Sequence, residues 1–212
     1  MAARGQRGEP WNHNIAYFPL IERTAASRVR RSALDVGTGD GMLAARLATS
    51  IPLVVGLDLH QEQVDGARQA YPDSPGLSFV TGDVLTTRLA QAPFDFVVCS
   101  ATLHHLPLDE GLARLRELTA PGGTLVIVGL ARNVSAIDWI LGGLRVLPVR
   151  IARVGRVWHE HGAPQRDPRE SLSDIRRAVA SVLPGARVRR RLYWRYSVVW
   201  ERPGVPLSTA NA

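Results

Sequence analysis

The stretch Leu34-Asp35-Val36-Gly37-Thr38-Gly39-Asp40-Gly41 decides the fold of this chain. An apolar run ends in an acid, three glycines then alternate with other residues, and a helix-like segment follows at 42–48. Glycine has no Cβ, so the backbone can turn tightly and a ligand can lie against it. A helix that begins after such a turn presents unpaired N–H groups. The pattern predicts a ligand pocket at the carboxyl end of the first strand of an α/β protein.

The glycine spacing and Asp35 together disfavour a dinucleotide pocket. Counted from Gly37, the dinucleotide pattern G-x-G-x-x-G requires glycine at position 42, which is Met42 here. The carboxylate of Asp35 would repel a pyrophosphate, whereas it would attract the ammonium group of an amino acid. The stretch therefore favours a ligand with an amino-acid end over a nicotinamide cofactor. A glycine-rich turn without a ligand is the alternative.

Two further acids follow predicted strands. Asp58 ends a buried-type run at about 52–58, and an acid at this offset from the glycines can accept both ribose hydroxyls. Its alternative role is to cap the helix that starts near His60 or Gln61. Asp83 follows the short strand 77–81, where it is either a ligand contact or an ordinary turn residue.

Strands and helices alternate along most of the chain. Strands are predicted near 32–36, 52–58, 77–81, 94–99 and 123–130, with helices near 40–49, 61–71 and 109–119. Such alternation implies a parallel sheet that helices cover on both faces. A further helix is predicted at Leu172–Val182, capped by Ser171 or Ser173. Two strands follow at Arg187–Tyr193 and Ser197–Glu201, with a tight turn around 194–196.

These features resemble the class I S-adenosylmethionine-dependent methyltransferases of the small-molecule type. The D-x-G-x-G-x-G pattern at 35–41 is similar to motif I of that family, and Leu103-His104-His105-Leu106 and Pro121-Gly122-Gly123 stand where family members often carry such motifs. The resemblance covers residues 32–130 in order and spacing. It implies a Rossmann-like α/β fold, namely a seven-strand sheet, mostly parallel with an antiparallel C-terminal strand pair and with helices on both faces.

The resemblance also implies the cofactor S-adenosyl-L-methionine and its product S-adenosyl-L-homocysteine. In the family the glycine loop holds the methionine end, the second acid takes the ribose, and the G-D-x turn holds the adenine. The cofactor-binding residues expected here are Asp35, Gly37, Gly39, Gly41, Asp58, Leu59, Asp83, Val84 and Ser100. The reaction would be in-line attack of an acceptor O, N or C on the sulfonium methyl, which requires mainly alignment and exclusion of water.

Candidates for catalysis and acceptor binding lie beside this pocket. His104 and His105 follow the fourth strand, where one of them is either a general base or part of the loop architecture. His13 and Tyr17 share a helical face of an N-terminal segment that resembles the cap helix of related enzymes, although surface placement is equally open. Trp139 belongs to a densely apolar segment at 133–158. That segment is predicted to be a lid over the acceptor, and a membrane-surface helix is the alternative.

The length of 212 residues suits one domain with elaborations. We expect a single domain over 11–203, with disordered tails at 1–10 and 204–212. An N-terminal cap at about 11–29 is predicted to form one or two helices, with an apolar face that Pro19 breaks. No secretory signal and no membrane span are evident, so the protein is expected in the cytoplasm. The pattern does not indicate an oligomeric state.

The C-terminal third is strongly basic. Residues 145–202 hold 14 Arg against 5 acids, a net charge of +9, and the chain has no Lys among its 26 basic residues. This charge indicates either an anionic partner or a solvated face. A nucleic-acid or rRNA methyltransferase is therefore an alternative, although the base-clamping Asp/Asn-Pro-Pro-Tyr/Phe motif is replaced by Ser100-Ala101-Thr102-Leu103. A non-catalytic module of the same fold is a second alternative.

Cysteine and metal chemistry are not indicated. Cys99 ends an apolar strand and is interpreted as a small buried hydrophobic residue rather than a nucleophile. His159-Glu160-His161 lacks a third ligand at a familiar spacing, so no metal site is predicted. The sequence thus predicts S-adenosylmethionine-dependent methyl transfer to a small-molecule acceptor whose identity it does not give.

Overall fold

A seven-stranded sheet with helices on both faces forms the centre of the molecule. The computed structural model describes residues 10–132, 157–158, 167–192 and 195–204. The strands are β1 (Pro10–Trp11), β2 (Ser32–Val36), β3 (Leu53–Asp58), β4 (Leu77–Thr81), β5 (Phe94–Ser100), β6 (Thr119–Leu130), β7 (Val157–Trp158), β8 (Arg187–Arg190) and β9 (Arg195–Glu201). The α-helices are α1 (Phe18–Ala25), α2 (Met42–Ala48), α3 (Gln61–Ala70), α4 (Leu108–Leu118) and α5 (Leu172–Val182).

The strand order confirms the predicted fold class. The large sheet runs β4-β3-β2-β5-β6-β9-β8. Its first five strands are parallel, and β9 lies antiparallel to both β6 and β8. From β2 the chain adds β3 and β4 on one side of the sheet, and then β5 and β6 on the other side. Open α/β sheets bind ligands at such a point, in the crevice at the carboxyl ends of the two strands where the order changes.

Alternate residues of each central strand face two separate apolar layers. On β2, Ala33 packs in the layer with α1, α2 and α3, whereas Leu34 and Val36 pack in the layer with α4 and α5. This burial on both faces explains why the strands read as nearly continuous apolar runs. Cys99 is fully buried in the α4 layer, and burial raises the pKa of its thiol to about 12.

Helix α5 begins where one of the two predicted caps stands. The backbone N–H of Asp174 donates to Ser171 Oγ at 3.2 Å, and the backbone N–H of Ser171 donates to Asp174 Oδ2 at 3.0 Å. These reciprocal bonds form a capping box. The hydrogen bonds from Ser171 lower the pKa of the Asp174 carboxyl.

Three predicted boundaries differ from the structure. The predicted helical segment at about 11–29 is shorter and consists of a 3-10 helix at Ile15–Tyr17 followed by α1. Pro19 lies in the first turn of α1, where its missing N–H has no helical partner to lose. Strand β6 begins at Thr119 rather than near 123. Strand β9 begins at Arg195, so two of the three residues expected to form a turn instead pair with the end of β6, Arg195 with Leu130 and Tyr196 with Gly129. The third, Trp194, lies outside the described residues.

Part of the positive charge of the C-terminal third lies on strand β8. It lies at the edge of the sheet, and its residues Arg187, Arg189 and Arg190 are exposed. Charged side chains on an edge strand oppose pairing with other chains. The exposure of these three side chains fits a solvated arginine face, which is one of the two interpretations of the basic charge.

Most of the predicted lid, with Trp139, and both predicted tails apart from Pro10 and Gly204 lie outside the described residues. The described end of the lid segment is β7, which pairs in parallel with β1 through Pro10↔Val157 and Trp11↔Trp158. Within the described ranges, no helix has the length and apolar character needed to cross a bilayer.

Candidate active site

A cavity of about 400 Å³ opens at the carboxyl ends of β2, β3 and β5. This volume lies within the usual range for small-molecule sites. The cavity brings together nine residues that the sequence singles out, which come from five separate stretches of the chain. They are Asp35, Gly37, Gly39, Asp58, Leu59, Asp83, Val84, Ser100 and His105.

Four other predicted residues, all within the described ranges, do not line this cavity, and a fifth falls outside those ranges. Gly41, His104, His13 and Tyr17 lie outside its lining, and Trp139 lies outside the described residues. Tyr17 is buried and its hydroxyl donates to the carbonyl oxygen of Leu192 at 2.6 Å. The Tyr17 hydroxyl is therefore bound by the main chain of Leu192 and not presented to the cavity.

The glycines after β2 have distinct roles. Gly37 has φ +72°, and a Cβ there would lie 2.0 Å from Thr102 Oγ1, so only glycine lets this loop meet the loop after β5. Gly41 has φ +78°, and a Cβ there would lie 2.7 Å from the Phe79 ring. A Cβ on Gly39 would meet nothing nearer than 4.0 Å, which leaves room for a ligand against the backbone.

The carboxylate of Asp58 connects the glycine loop to the end of β3. Its Oδ2 accepts from the Gly39 N–H at 2.9 Å, and its Oδ1 accepts from the His60 N–H at 3.0 Å. His60, not Asp58, is the N-cap residue of α3. Each carboxylate oxygen has a further lone-pair direction, so Asp58 can also accept hydrogen bonds from a ligand.

Asp35 is a buried acid without a cation beside it among the described residues. Its exposed fraction is 2%, and Thr38 Oγ1 donates to its Oδ2 at 2.9 Å. Burial raises the pKa of Asp35 to about 7; the charges of Asp58 and Asp40 act in the same direction, and the Thr38 hydrogen bond opposes them. A cationic group in the cavity would stabilise the charged form of this carboxyl.

Asp83 forms the turn after β4. Its Oδ1 accepts from the Leu85 N–H at 2.9 Å, and its carbonyl oxygen accepts from the N–H groups of Thr86 at 3.1 Å and Thr87 at 2.8 Å. This is the local bonding expected of an aspartate turn. The turn presents Asp83 and the apolar side chain of Val84 to the cavity.

Two polar side-chain atoms in the cavity walls have no hydrogen-bond partner among the described residues. They are Ser100 Oγ, at the end of β5, and Asn14 Oδ1, in the turn before α1. Buried polar atoms are normally satisfied, so these two are candidate positions for polar groups of a ligand.

Sequence reasoning missed Asn14 because it assumed helical spacing from His13. The turn is set instead by Asn12, whose Oδ1 accepts from the N–H groups of Asn14 at 2.8 Å and Ile15 at 2.9 Å. A 3-10 helix at Ile15–Tyr17 then follows. The signal in the sequence was the pair of asparagines before the first apolar residue, which favours local side-chain bonding.

The loop after β5 places His105 in the cavity wall. Ala101 in this loop has φ +55°, and its N–H donates to the Val128 carbonyl at 2.7 Å. A positive φ at alanine is strained, which nothing in the residue type predicts. The rings of His104 and His105 lie with their centroids 4.2 Å apart, so His104 packs behind the residue that faces the cavity.

Comparison with known proteins identifies the family. The profile of the methyltransferase domain family matches residues 34–127. The chain is 37% identical over 203 residues to an uncharacterized methyltransferase of Mycobacterium tuberculosis, which covers 92% of this chain and 98% of the relative. The chain belongs to the class I S-adenosylmethionine-dependent methyltransferases.

Other relatives of this methyltransferase carry more specific names. It is 28% identical over 156 residues to a ubiquinone biosynthesis O-methyltransferase of Shewanella sp. (strain ANA-3), with 66% of each chain covered. Its fold is that of the N-methyltransferase NodS of Bradyrhizobium japonicum WM9, which was solved with S-adenosylhomocysteine. That match has a TM-score of 0.61 at 17% identity and covers 89% of this chain and 87% of the other.

Proposed function

We propose that this methyltransferase binds S-adenosylmethionine in the cavity and transfers its methyl group to a small-molecule acceptor beside His105. The observation that carries the proposal is the buried carboxyl of Asp35, which lacks a cation among the described residues and lines the same cavity as Gly39 and Asp58. The cofactor has an ammonium group that can pair with Asp35 and a methionine chain that can lie against Gly39. Its ribose hydroxyls can donate to Asp58.

The remaining assignments follow the order of the strands. Gly37 and Gly41 shape the loop that holds the methionine end, and Leu59 lies beside the ribose. Asp83 accepts a hydrogen bond from the adenine amino group while Val84 packs on the ring. Ser100 donates to or accepts from the methionine end through its unpartnered hydroxyl.

The cofactor supplies a methyl group that its sulfonium already activates for nucleophilic attack. The protein then has to hold the acceptor atom in line and keep water away. His105 is the better placed of the two histidines to accept a proton from the acceptor, because it lines the cavity. His104 contacts its ring and holds its orientation.

The N-terminal segment and residues 133–158 are proposed to enclose the acceptor. Asn14 and Phe18 line the cavity, and His13 and Tyr17 belong to the same segment. Strand β7, at the end of 133–158, pairs with β1 directly before this segment. This pairing supports a lid that contains Trp139.

A small-molecule acceptor is favoured over nucleic acid by two observations. One relative of the chain is named for ubiquinone biosynthesis, and three of the C-terminal arginines lie on an edge strand. A gel-shift titration with rRNA fragments tests the alternative, and a shift at micromolar protein would favour it. We also propose that the protein works in the cytoplasm.

Calorimetric titration with S-adenosylhomocysteine tests the cofactor proposal. Micromolar binding, about −8 kcal/mol, is expected, whereas NADH as the matched control should give no heat. Absence of both heat and a thermal shift at millimolar S-adenosylhomocysteine would overturn the proposal. Release of S-adenosylhomocysteine from S-adenosylmethionine in the presence of an acceptor separates an enzyme from a non-catalytic module.

A further inference from the structure

Arg195 is a buried arginine at the carboxyl end of the sheet. It is the first residue of β9 and pairs with Leu130, the last residue of β6. Its exposed fraction is 7%, and both Nε and Nη1 are buried without a hydrogen-bond partner among the residues that the structure describes. No carboxylate in the described part of the chain forms an ion pair with it.

A buried guanidinium whose Nε and Nη1 lack partners in the described part of the chain is costly. Burial lowers the pKa of Arg195 to about 10, and among the described residues the charge of Tyr17 opposes this effect. Arg30 has the same exposed fraction, yet it donates to Thr124 Oγ1 at 2.7 Å and to the Asp95 carbonyl oxygen at 3.3 Å. The packing of the described residues therefore gives Arg195 no comparable compensation, and a ligand would supply it.

Arg195 does not line the cavity, but a short series of hydrogen bonds connects it to the cavity wall. Asn14 lines the cavity, and its carbonyl oxygen accepts from the Tyr17 N–H at 2.9 Å. The Tyr17 hydroxyl donates to the Leu192 carbonyl oxygen at 2.6 Å, and the Arg195 N–H donates to the same oxygen at 3.2 Å. The N-terminal segment thus packs between the cavity and Arg195.

The strand register gives the same placement independently. Ser100, which lines the cavity, pairs with Val128 on β6, and Leu130 follows two residues later opposite Arg195. Arg195 therefore lies beyond the end of β5, on the side of the sheet away from Asp58 and Asp83. A ligand that reaches both His105 and Arg195 would extend from the proposed methyl-transfer position towards β9.

We propose that Arg195 binds an oxyanion of the methyl acceptor, either a carboxylate or a phosphate monoester. This inference rests on the proposed function, because it names the substrate class of the same site. A planar guanidinium donates several N–H groups in a fixed geometry that matches such oxyanions. The oxyanion would neutralise the buried charge of Arg195. The acceptor would thus be selected by a charged group that is separate from the atom that receives the methyl group.

Nuclear magnetic resonance of the Arg195 Nε–Hε group tests the proposal on the full chain in complex with S-adenosylhomocysteine. Sodium acetate and inorganic phosphate are the two probes, and sodium chloride at the same ionic strength is the control. A saturable shift at millimolar acetate or phosphate is expected for Arg195 but not for exposed Arg189. The probe with the stronger response identifies carboxylate or phosphate. No saturable shift, or an equal response with chloride or at Arg189, means an adventitious ion only and overturns the proposal.

The variant Arg195→Met separates ligand binding from a structural role, with Arg189→Met as the matched control. Removal of a buried charge that has no ion pair among the described residues should raise the melting temperature of the free protein by a few degrees and reduce the acetate or phosphate response at least tenfold. S-adenosylhomocysteine affinity should stay within about twofold. A lower melting temperature would show a structural arginine and overturn the inference. If the wild-type protein fails to bind S-adenosylhomocysteine, the proposed function fails instead, and the anion titration without it still decides the role of Arg195.

Discussion

The Oδ2 atom of Asp58 accepts a hydrogen bond from the backbone N–H of Gly39 at 2.9 Å. This bond joins the end of β3 to the glycine loop after β2, so one carboxylate both shapes the loop and faces the cavity. Its other oxygen accepts from the His60 N–H, which begins the turn into α3. Substitutions at Asp58 therefore have to separate the loss of loop geometry from the loss of a ligand contact.

Asp58→Ala should weaken S-adenosylhomocysteine binding by about 1.5–3 kcal/mol, because a charged acceptor of two ribose hydroxyls is lost. Asp58→Asn retains one acceptor oxygen and should lose less. Both variants should keep the circular dichroism of the wild type, since the core layers do not include this side chain. Calorimetric titration measures the affinities, with exposed Asp73→Ala as the control. Unchanged affinity in Asp58→Ala would remove the ribose role, and unfolding would favour a structural one.

The affinity for S-adenosylhomocysteine should rise with pH up to about 7, the pKa to which burial raises Asp35. The ammonium group of the ligand favours the charged carboxylate, so below this pKa binding requires Asp35 to lose its proton. The affinity therefore rises by up to about tenfold per pH unit. Titrations between about pH 5 and 8 measure the profile. Asp35→Asn should bind more weakly at pH 8 and show a flat profile. A wild-type profile as flat as that of the variant contradicts the contact.

The stability of the free protein should carry the opposite pH dependence from Asp35. Its folded pKa of about 7 lies above its ordinary value of 3.8, so the folded state holds the proton more tightly than the unfolded state. The contribution of Asp35 to the free energy of unfolding is fully present below its ordinary pKa. It is lost as the pH rises towards 7, by up to about 1.4 kcal/mol per pH unit. Urea unfolding of wild type and Asp35→Asn at several pH values isolates the difference, and parallel curves for the two proteins would refute it.

Gly39→Ala should separate ligand approach from backbone strain. Its φ of +54° costs an alanine about 1 kcal/mol of stability, while a Cβ meets no atom nearer than 4.0 Å. Gly122→Ala is the matched control, because its φ is +76° and a Cβ there has open space. Both should lose similar stability, but only Gly39→Ala should weaken S-adenosylhomocysteine at least tenfold. Gly37→Ala should lose more stability, about 2–4 kcal/mol, because its Cβ would overlap Thr102. Equal affinity in the Gly39 and Gly122 variants would place the ligand elsewhere.

His105→Ala should lower kcat by about 10²–10⁴ once an acceptor is in hand, if this side chain accepts the proton. His104→Ala should have a few-fold effect, because its ring contacts His105 but lies outside the cavity lining. Rates are compared at saturating cofactor, with S-adenosylhomocysteine affinity as the control for loop geometry. If both variants lower kcat only a few-fold, His104 and His105 serve to shape the loop. Catalysis would then come from alignment of the acceptor alone.

If the segment 133–158 covers the acceptor, the protein should stay in the supernatant when anionic lipid vesicles are pelleted by centrifugation. A membrane-surface helix would instead carry the protein into the pellet, because its Trp and Arg residues would insert at the interface. Co-sedimentation at low and high salt measures this, with a Trp139→Ser variant beside the wild type. Pelleting that depends on Trp139 would replace the lid by the membrane alternative.

The sequence by itself determined the sheet and the positions of the acids. Strands β2 and β4 and helix α5 lie at the residues predicted, because apolar periodicity and caps act over a few neighbouring positions. Asp35, Asp58 and Asp83 reach one cavity because parallel strands end at the same edge of a sheet, so each strand end could be placed from its own residues.

The tertiary structure alone decided which neighbouring residues face that cavity. Three features depend on loops that distant contacts fix, such as the Ala101 N–H to the Val128 carbonyl. They are the choice of His105 over His104, the strained Ala101, and the Asn14 Oδ1 that has no partner among the described residues. Arg195 lay in a predicted turn, where arginine is ordinarily exposed. Its burial follows from pairing with Leu130, sixty-five positions away, and local propensity carries no information about a partner at that separation.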